Sequence, residues 1–171
     1  MFTDKHYSNK IILLSDEIDT ISIKDVVEKI LEINHNDNLN QKKYRYYKRK
    51  PIKLYINSYG GVVYDGLALV DTIRYSKSPV HTYCFGSAMS MGLWIYLAGK
   101  RRYAGRNCTF MYHEISNAPW GKLSFIKQEV DEMQRLQRAY DNMITKNTRI
   151  RQETLDEIKE KKAEWYIAAS E

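Results

Sequence analysis

The sequence predicts an α/β protein with a mainly parallel sheet, and three observations lead there. Short apolar runs alternate with longer segments whose apolar residues recur every three or four positions. No internal repeat interrupts that alternation. At 171 residues the chain fits one domain, residues 1–171, able to bury about 70% of its unfolded surface.

The elements come in order. "KIILLS" reads as a first strand. "ISIKDVVEKILEIN" places Ile23, Val26, Val27, Ile30 and Leu31 at helical spacing, so an amphipathic helix comes next. His35 to Lys50 reads as an irregular linker. "IKLYIN", Ile52 to Asn57, is a second strand, broken by "SYGG". Asp65 to Tyr75 is helical, with Leu67, Val70 and Ile73 in line. "VHTYCFG", Val80 to Gly86, is a third strand, and a helix starts near Ser87. "NCTFMYH", Asn107 to His113, is a fourth strand. From Lys122 to Thr148, residues Ile126, Val130, Met133, Leu136 (or Gln137), Tyr140 and Met143 keep helical spacing, which makes a helix about 40 Å long. That length outreaches a domain this small, so part of the helix is expected to pack on a partner chain. A shorter helix, Gln152 to Lys162, closes the series.

Composition narrows the class. The chain is 43% hydrophobic and 28% charged, as soluble globular proteins are. No apolar run approaches the ~20 residues of a membrane span. The start, "MFTDKHYSNK", lacks the apolar stretch of a signal peptide, so a cytoplasmic compartment is expected. Cys84 and Cys108 fall in apparent strands and read as reduced core residues without metal-ligand spacing. Net charge is +6. "KKYRYYKRK", Lys42 to Lys50, interleaves basic residues with tyrosines, a composition that can bind single-stranded nucleic acid. A solvated loop is the favoured reading, and nucleic acid is not an expected partner.

In parallel α/β sheets, sites lie outside the carboxyl ends of the strands. Gly60 and Gly61 end the second strand, Ser90 comes after the third and His113 closes the fourth. A serine hydroxyl becomes nucleophilic when a base is within hydrogen-bond reach and a third group orients that base. "AMSMG" is a relaxed form of the small-x-Ser-x-Gly turn that presents a hydroxyl between strand and helix. Of the other histidines, His6 is in the tail, His35 in the linker and His81 at the far end of a strand. Lys100 as a dyad partner is rejected, because ten helical residues span about 15 Å. A glycine pair usually marks a turn; here its bare backbone could also aim an amide at an oxyanion.

Taken together, these segments resemble the ClpP family, the serine-protease component of Clp proteases. "YINSYGG" is similar to that family's Tyr-Ile-Asn-Ser-Pro-Gly-Gly stretch, "GSAMSMG" to its nucleophile motif, and "FMYHEI" to its Met-Ile-His-Gln-Pro segment. The resemblance implies a ClpP/crotonase-like spiral of parallel strands and helices with a long protruding handle helix, about residues 122–148. It implies a serine endopeptidase with Ser90 as nucleophile and His113 as general base. The amides of Gly61 and Met91 would form the oxyanion hole. Aligning "AEWYIAASE" with the family's aspartate segment puts Glu164 in the third triad position, with Asp156 as a substitute. No metal or cofactor is called for. The implied assembly is a homo-oligomer of stacked heptameric rings, acting on peptides or unfolded proteins and fed by an AAA+ ATPase. Against the family pattern, the segment before the first strand is shorter, the basic linker is longer, and Tyr59 and Ile115 stand where prolines do. Two other classes stay in view: a catalytically silent ring subunit, and nucleic-acid binding through Lys42 to Lys50.

Overall fold

The computed structural model describes residues 10–170. The polar start with His6, and the terminal Glu171, lie outside the described residues. The described residues form two compact units, 10–110 with 168–170, and Met111–Ile167.

In the first unit β1 (Ile11–Leu14), β2 (Ile52–Ser58) and β3 (Val80–Met89) lie parallel in that order, and β4 (Arg101–Ala104) pairs in parallel with β3. The helices are α1 (Thr20–Lys43), α2 (Val63–Tyr75) and α3 (Met91–Leu97). Strand residues alternate between two faces. Ile12, Leu14, Ile52, Leu54, Ile56 and Cys84 are buried on one face, each of the large aliphatic ones contributing about 1.5–3 kcal/mol. On that side Thr82 Oγ1 donates to the carbonyl of Tyr96 in α3 at 2.7 Å. The other face carries a register row, Leu13–Tyr55–Tyr83–Tyr103. Tyr55 stacks on Tyr83 at 4.8 Å and Tyr83 on Tyr103 at 4.5 Å between ring centroids.

The first helix departs from expectation. The linker expected over His35–Lys50 begins nine residues late, because α1 continues to Lys43. Its start is fixed by a capping box in which Asp19 accepts from the Ser22 amide at 2.7 Å and Ser22 Oγ accepts from the Asp19 amide at 3.1 Å, closing two otherwise orphaned donors. Its extension is held by Asp37, only 1% exposed, whose carboxylate takes both Lys10 Nζ at 2.6 Å and Ser78 Oγ at 2.5 Å. A polar stretch that composition reads as loop is thus helical because Lys10, just before β1, neutralises it. The strand expected over Asn107–His113 is β5 (Thr109–Tyr112), with Cys108 in the turn before it. Both cysteines are free and buried.

The second unit holds α4 (Leu123–Asn147), α5 (Gln152–Glu160) and most of β6 (Trp165–Ala168), a strand that periodicity does not reveal. The C-terminal half of α4 buries Leu136, Tyr140, Met143 and Ile144. Its N-terminal half leaves Leu123, Phe125 and Val130 exposed. Among the described residues no helix is long and apolar enough to cross a membrane.

Candidate active site

Ser90 sits between β3 and α3 with φ 51° and ψ −121°. A positive φ on a non-glycine residue costs about 1–3 kcal/mol and persists only where surrounding structure holds it. The surroundings here are specific. β2 and β3 change register between Ile56 and Ser58, so Ile56 faces Cys84 but Ser58 faces Ala88. The extra residues of β3 form a bulge at Phe85–Ser87, and a bulge redirects the strand beyond it. Asn57 holds it: its Oδ1 accepts from the Ser87 amide at 3.1 Å and lies 2.3 Å from where a Cβ on Gly86 would stand. Gly86, at φ +136°, therefore has to be glycine. This bulge carries β3 on to Met89, so α3 begins at Met91 rather than near Ser87 and leaves Ser90 at the turn.

The glycine loop meets that turn directly. A Cβ on Gly60 would stand 2.8 Å from Ser90 Cβ and 3.3 Å from the Met91 amide nitrogen. Gly61 is pressed against Ile18, with a hypothetical Cβ 2.2 Å from the Ile18 carbonyl oxygen. Ile18 stitches the loop, donating to the Gly60 carbonyl at 2.8 Å and accepting from the Val62 amide at 2.7 Å. That ladder uses the carbonyl before Gly61 and the amide after it, so the Gly61 N–H stands outside the pairing. Met91 opens α3, and the amide of a first helical residue has no intrahelical acceptor. Its side chain lies over Gly66 of α2, whose Cβ would clash with it at 2.3 Å, and a Cβ on Gly92 would be 3.2 Å from the Ser58 carbonyl. Gly60, Gly61, Ser90 and Met91 are thereby gathered at the carboxyl ends of β2 and β3. A recess of about 430 Å³ adjoins them, lined by Ser15, Asp16, Glu17, Asn57, Tyr59 and the two glycines.

The other candidates belong to the second unit. His113 is half-buried immediately after β5, between two anchored residues. Tyr112 is fully buried and donates through its hydroxyl to Asp141 Oδ1 at 2.7 Å. The Ile115 amide donates to Gln137 Oε1 at 2.8 Å. Asp141 also takes Lys159 Nζ at 2.6 Å and Gln137 Nε2 at 2.8 Å. Burial, then the hydrogen bond to Asp141, pushes the Tyr112 phenol far above its ordinary range, so it remains a neutral donor. Asp156 is engaged by Lys159 at 2.9 Å and Gln152 at 2.9 Å, and the Lys159 bond holds its carboxyl below the ordinary value. Glu164 is exposed and accepts from the Tyr166 hydroxyl at 2.8 Å. His81 lies on β3 beside Tyr103, and burial together with the charges of Arg101 and Lys100 lowers its pKa. Among the described residues no group of acidic, histidine or cysteine side chains could hold a metal.

Sequence reading missed two supporting residues. Ile18 looks like any core aliphatic. Asn57 is an exposed amide one residue before the end of β2, and nothing local names Ser87 as its partner. Set against known proteins, the family model described as Clp protease matches residues 2–171. Among solved structures the chain is similar to a point mutant of ClpP1 from Listeria monocytogenes, with 24% identity and a TM-score of 0.75. That match covers 95% of this chain and 85% of the other.

Proposed function

We propose that this chain, which belongs to the Clp protease family, is a serine endopeptidase subunit that hydrolyses peptides and unfolded proteins inside an oligomeric barrel. The observation that carries this reading is the Ser90 turn. A strained serine lies against Gly60, beside two amides that hydrogen-bonding within the fold does not require. In this reading Ser90 Oγ attacks the peptide carbonyl and His113 takes its proton. The Gly61 and Met91 amides hold the oxyanion, each such donor typically worth about 3 kcal/mol in the transition state. His113 then protonates the leaving amine, and water releases the acyl-enzyme. Glu164 orients the imidazole as the third member, with Asp156 as its substitute. Stacked heptameric rings, an AAA+ unfoldase feeding them and a cytoplasmic setting complete the proposal on the family's pattern.

A second reading, a silent ring subunit, is favoured by one observation: both candidate acids are already engaged, Asp156 by Lys159 and Glu164 by Tyr166. Active-site titration with a fluorophosphonate probe separates the two. The assembled wild type is expected to label stoichiometrically. Ser90→Ala should abolish labelling and His113→Ala should slow it by about 10³-fold or more. Glu164→Ala tests the third assignment. A folded, assembled wild type that does not label would overturn the peptidase reading in favour of the silent subunit.

A further inference from the structure

The basic segment after α1 takes no part in the proposed peptidase chemistry, and its structure differs from that of a plain solvated loop. From Asn38 to Lys53 the chain contains no carboxylate. Lys42 and Lys43 end α1, where the helix dipole already favours cations. That account does not reach Arg45 or Lys48, which lie beyond the helix and are both exposed. None of Lys42, Lys43, Arg45 and Lys48 is in an ion pair among the described residues. Lys43 instead lies over the ring of Tyr44 at 5.2 Å and Arg45 over that of Tyr46 at 5.6 Å, and Tyr46 is 84% exposed.

The segment is also pinned. Tyr47 donates its hydroxyl to the buried Asp37 at 2.5 Å. Arg49 Nη2 reaches Asn38 Oδ1 at 2.5 Å and Gln41 Oε1 at 2.8 Å, and its Nη1 reaches Ser78 Oγ at 3.0 Å. Arg49 is thus a strut held by neutral groups that leave its charge uncompensated. Asn38 also lines a groove of about 440 Å³ between α1 and α2, together with Asn34, Asp71, Tyr75 and Lys77. Tyr75 is 85% exposed. A fixed cationic track with outward rings, leading to a groove with amides and a further ring, has the parts that hold a single strand. Cations track the phosphates, and aromatic faces take the bases.

We propose that Lys42–Lys50 and the adjoining α1–α2 groove form a binding surface for single-stranded nucleic acid, with Lys42, Lys43, Arg45 and Lys48 on phosphates and Tyr46 stacking a base. The surface is independent of Ser90. An acidic protein segment would satisfy the charges, but it would make no use of the exposed rings.

The test is fluorescence anisotropy of the full-length assembled protein with a fluorescein-labelled oligothymidylate of about 20 nucleotides. Four phosphate contacts predict a log–log salt slope of about −2.8, a loss of about 50-fold in affinity between roughly 50 and 200 mM salt. Replacing Lys42, Lys43, Arg45 and Lys48 together by Gln should flatten that slope and weaken low-salt binding by at least about 30-fold. Tyr46→Ala should weaken binding about tenfold with the slope unchanged, while Tyr46→Phe retains it. Ser90→Ala should bind as the wild type does, whatever the outcome of the peptidase titration. Absence of low-salt binding by the wild type overturns the proposal. Equal competition by polyglutamate, with Tyr46→Ala binding as the wild type does, also overturns it and points to an acidic protein partner.

Discussion

The Ser90 turn and the Tyr112–Asp141 cluster are both specific arrangements next to candidate catalytic residues, yet they are specified differently. Around Ser90 the determinants are backbone: a register shift, three glycines with positive φ and a carbonyl–amide stitch through Ile18. Around His113 they are side chains: a tyrosine, a glutamine and a lysine converge on one aspartate. A backbone-built site fixes where amides point and tolerates no added atom. A side-chain cluster fixes the element that carries the histidine and is lost with its charge. Motifs therefore show clearly in the first region and faintly in the second, because glycine is needed where a Cβ cannot fit, whereas a polar cluster can be built from many residue combinations.

The sharpest way to break the comparison is Gly61→Ala. The new Cβ would fall 2.2 Å from the Ile18 carbonyl at a φ of +147°, so the loop must move and take its amide with it. The fluorophosphonate labelling rate should fall by about 10²-fold or more, with a lowered melting temperature. Asp141→Ala comes next and acts on stability. It removes the acceptor of the buried Tyr112 hydroxyl and leaves Lys159 with Asp156 alone, and an orphaned buried donor costs about 1–3 kcal/mol, read as a lower urea midpoint at unchanged slope. The smallest effect is a pH dependence at Asp37. Burial pushes its carboxyl up, but hydrogen bonds from Lys10, Ser78 and Tyr47 outweigh that and hold it below the ordinary 3.8. A depressed native pKa gives stability that is complete above 3.8 and is lost as pH falls through the native value. Asp37→Asn should therefore lower stability at neutral pH and make the acid limb of the stability curve shallower. An acid limb as steep as the wild type's would remove Asp37 as its cause.

Much of this was legible along the chain. Alternation of apolar runs gives the α/β order, and "GSAMSMG" with the upstream diglycine marks the turn, because both depend on residues within a few positions of one another. The end of α1 was not legible. "HNDNLNQKK" has a loop's composition and becomes helix only because Lys10 meets Asp37 across 27 positions. Nor was the positive φ of Ser90, which results from a bulge that Asn57 and Gly86 close between two strands. By itself the sequence determined the succession of elements, the apolar face of each strand and the small residues that permit close approach, since steric size and hydrophobic period are local properties. Tertiary structure alone decided where α1 stops, how β3 bends toward Ser90 and which carboxylates are already engaged. Those outcomes rest on hydrogen bonds and ion pairs between residues far apart in the chain, which only the folded backbone brings within reach.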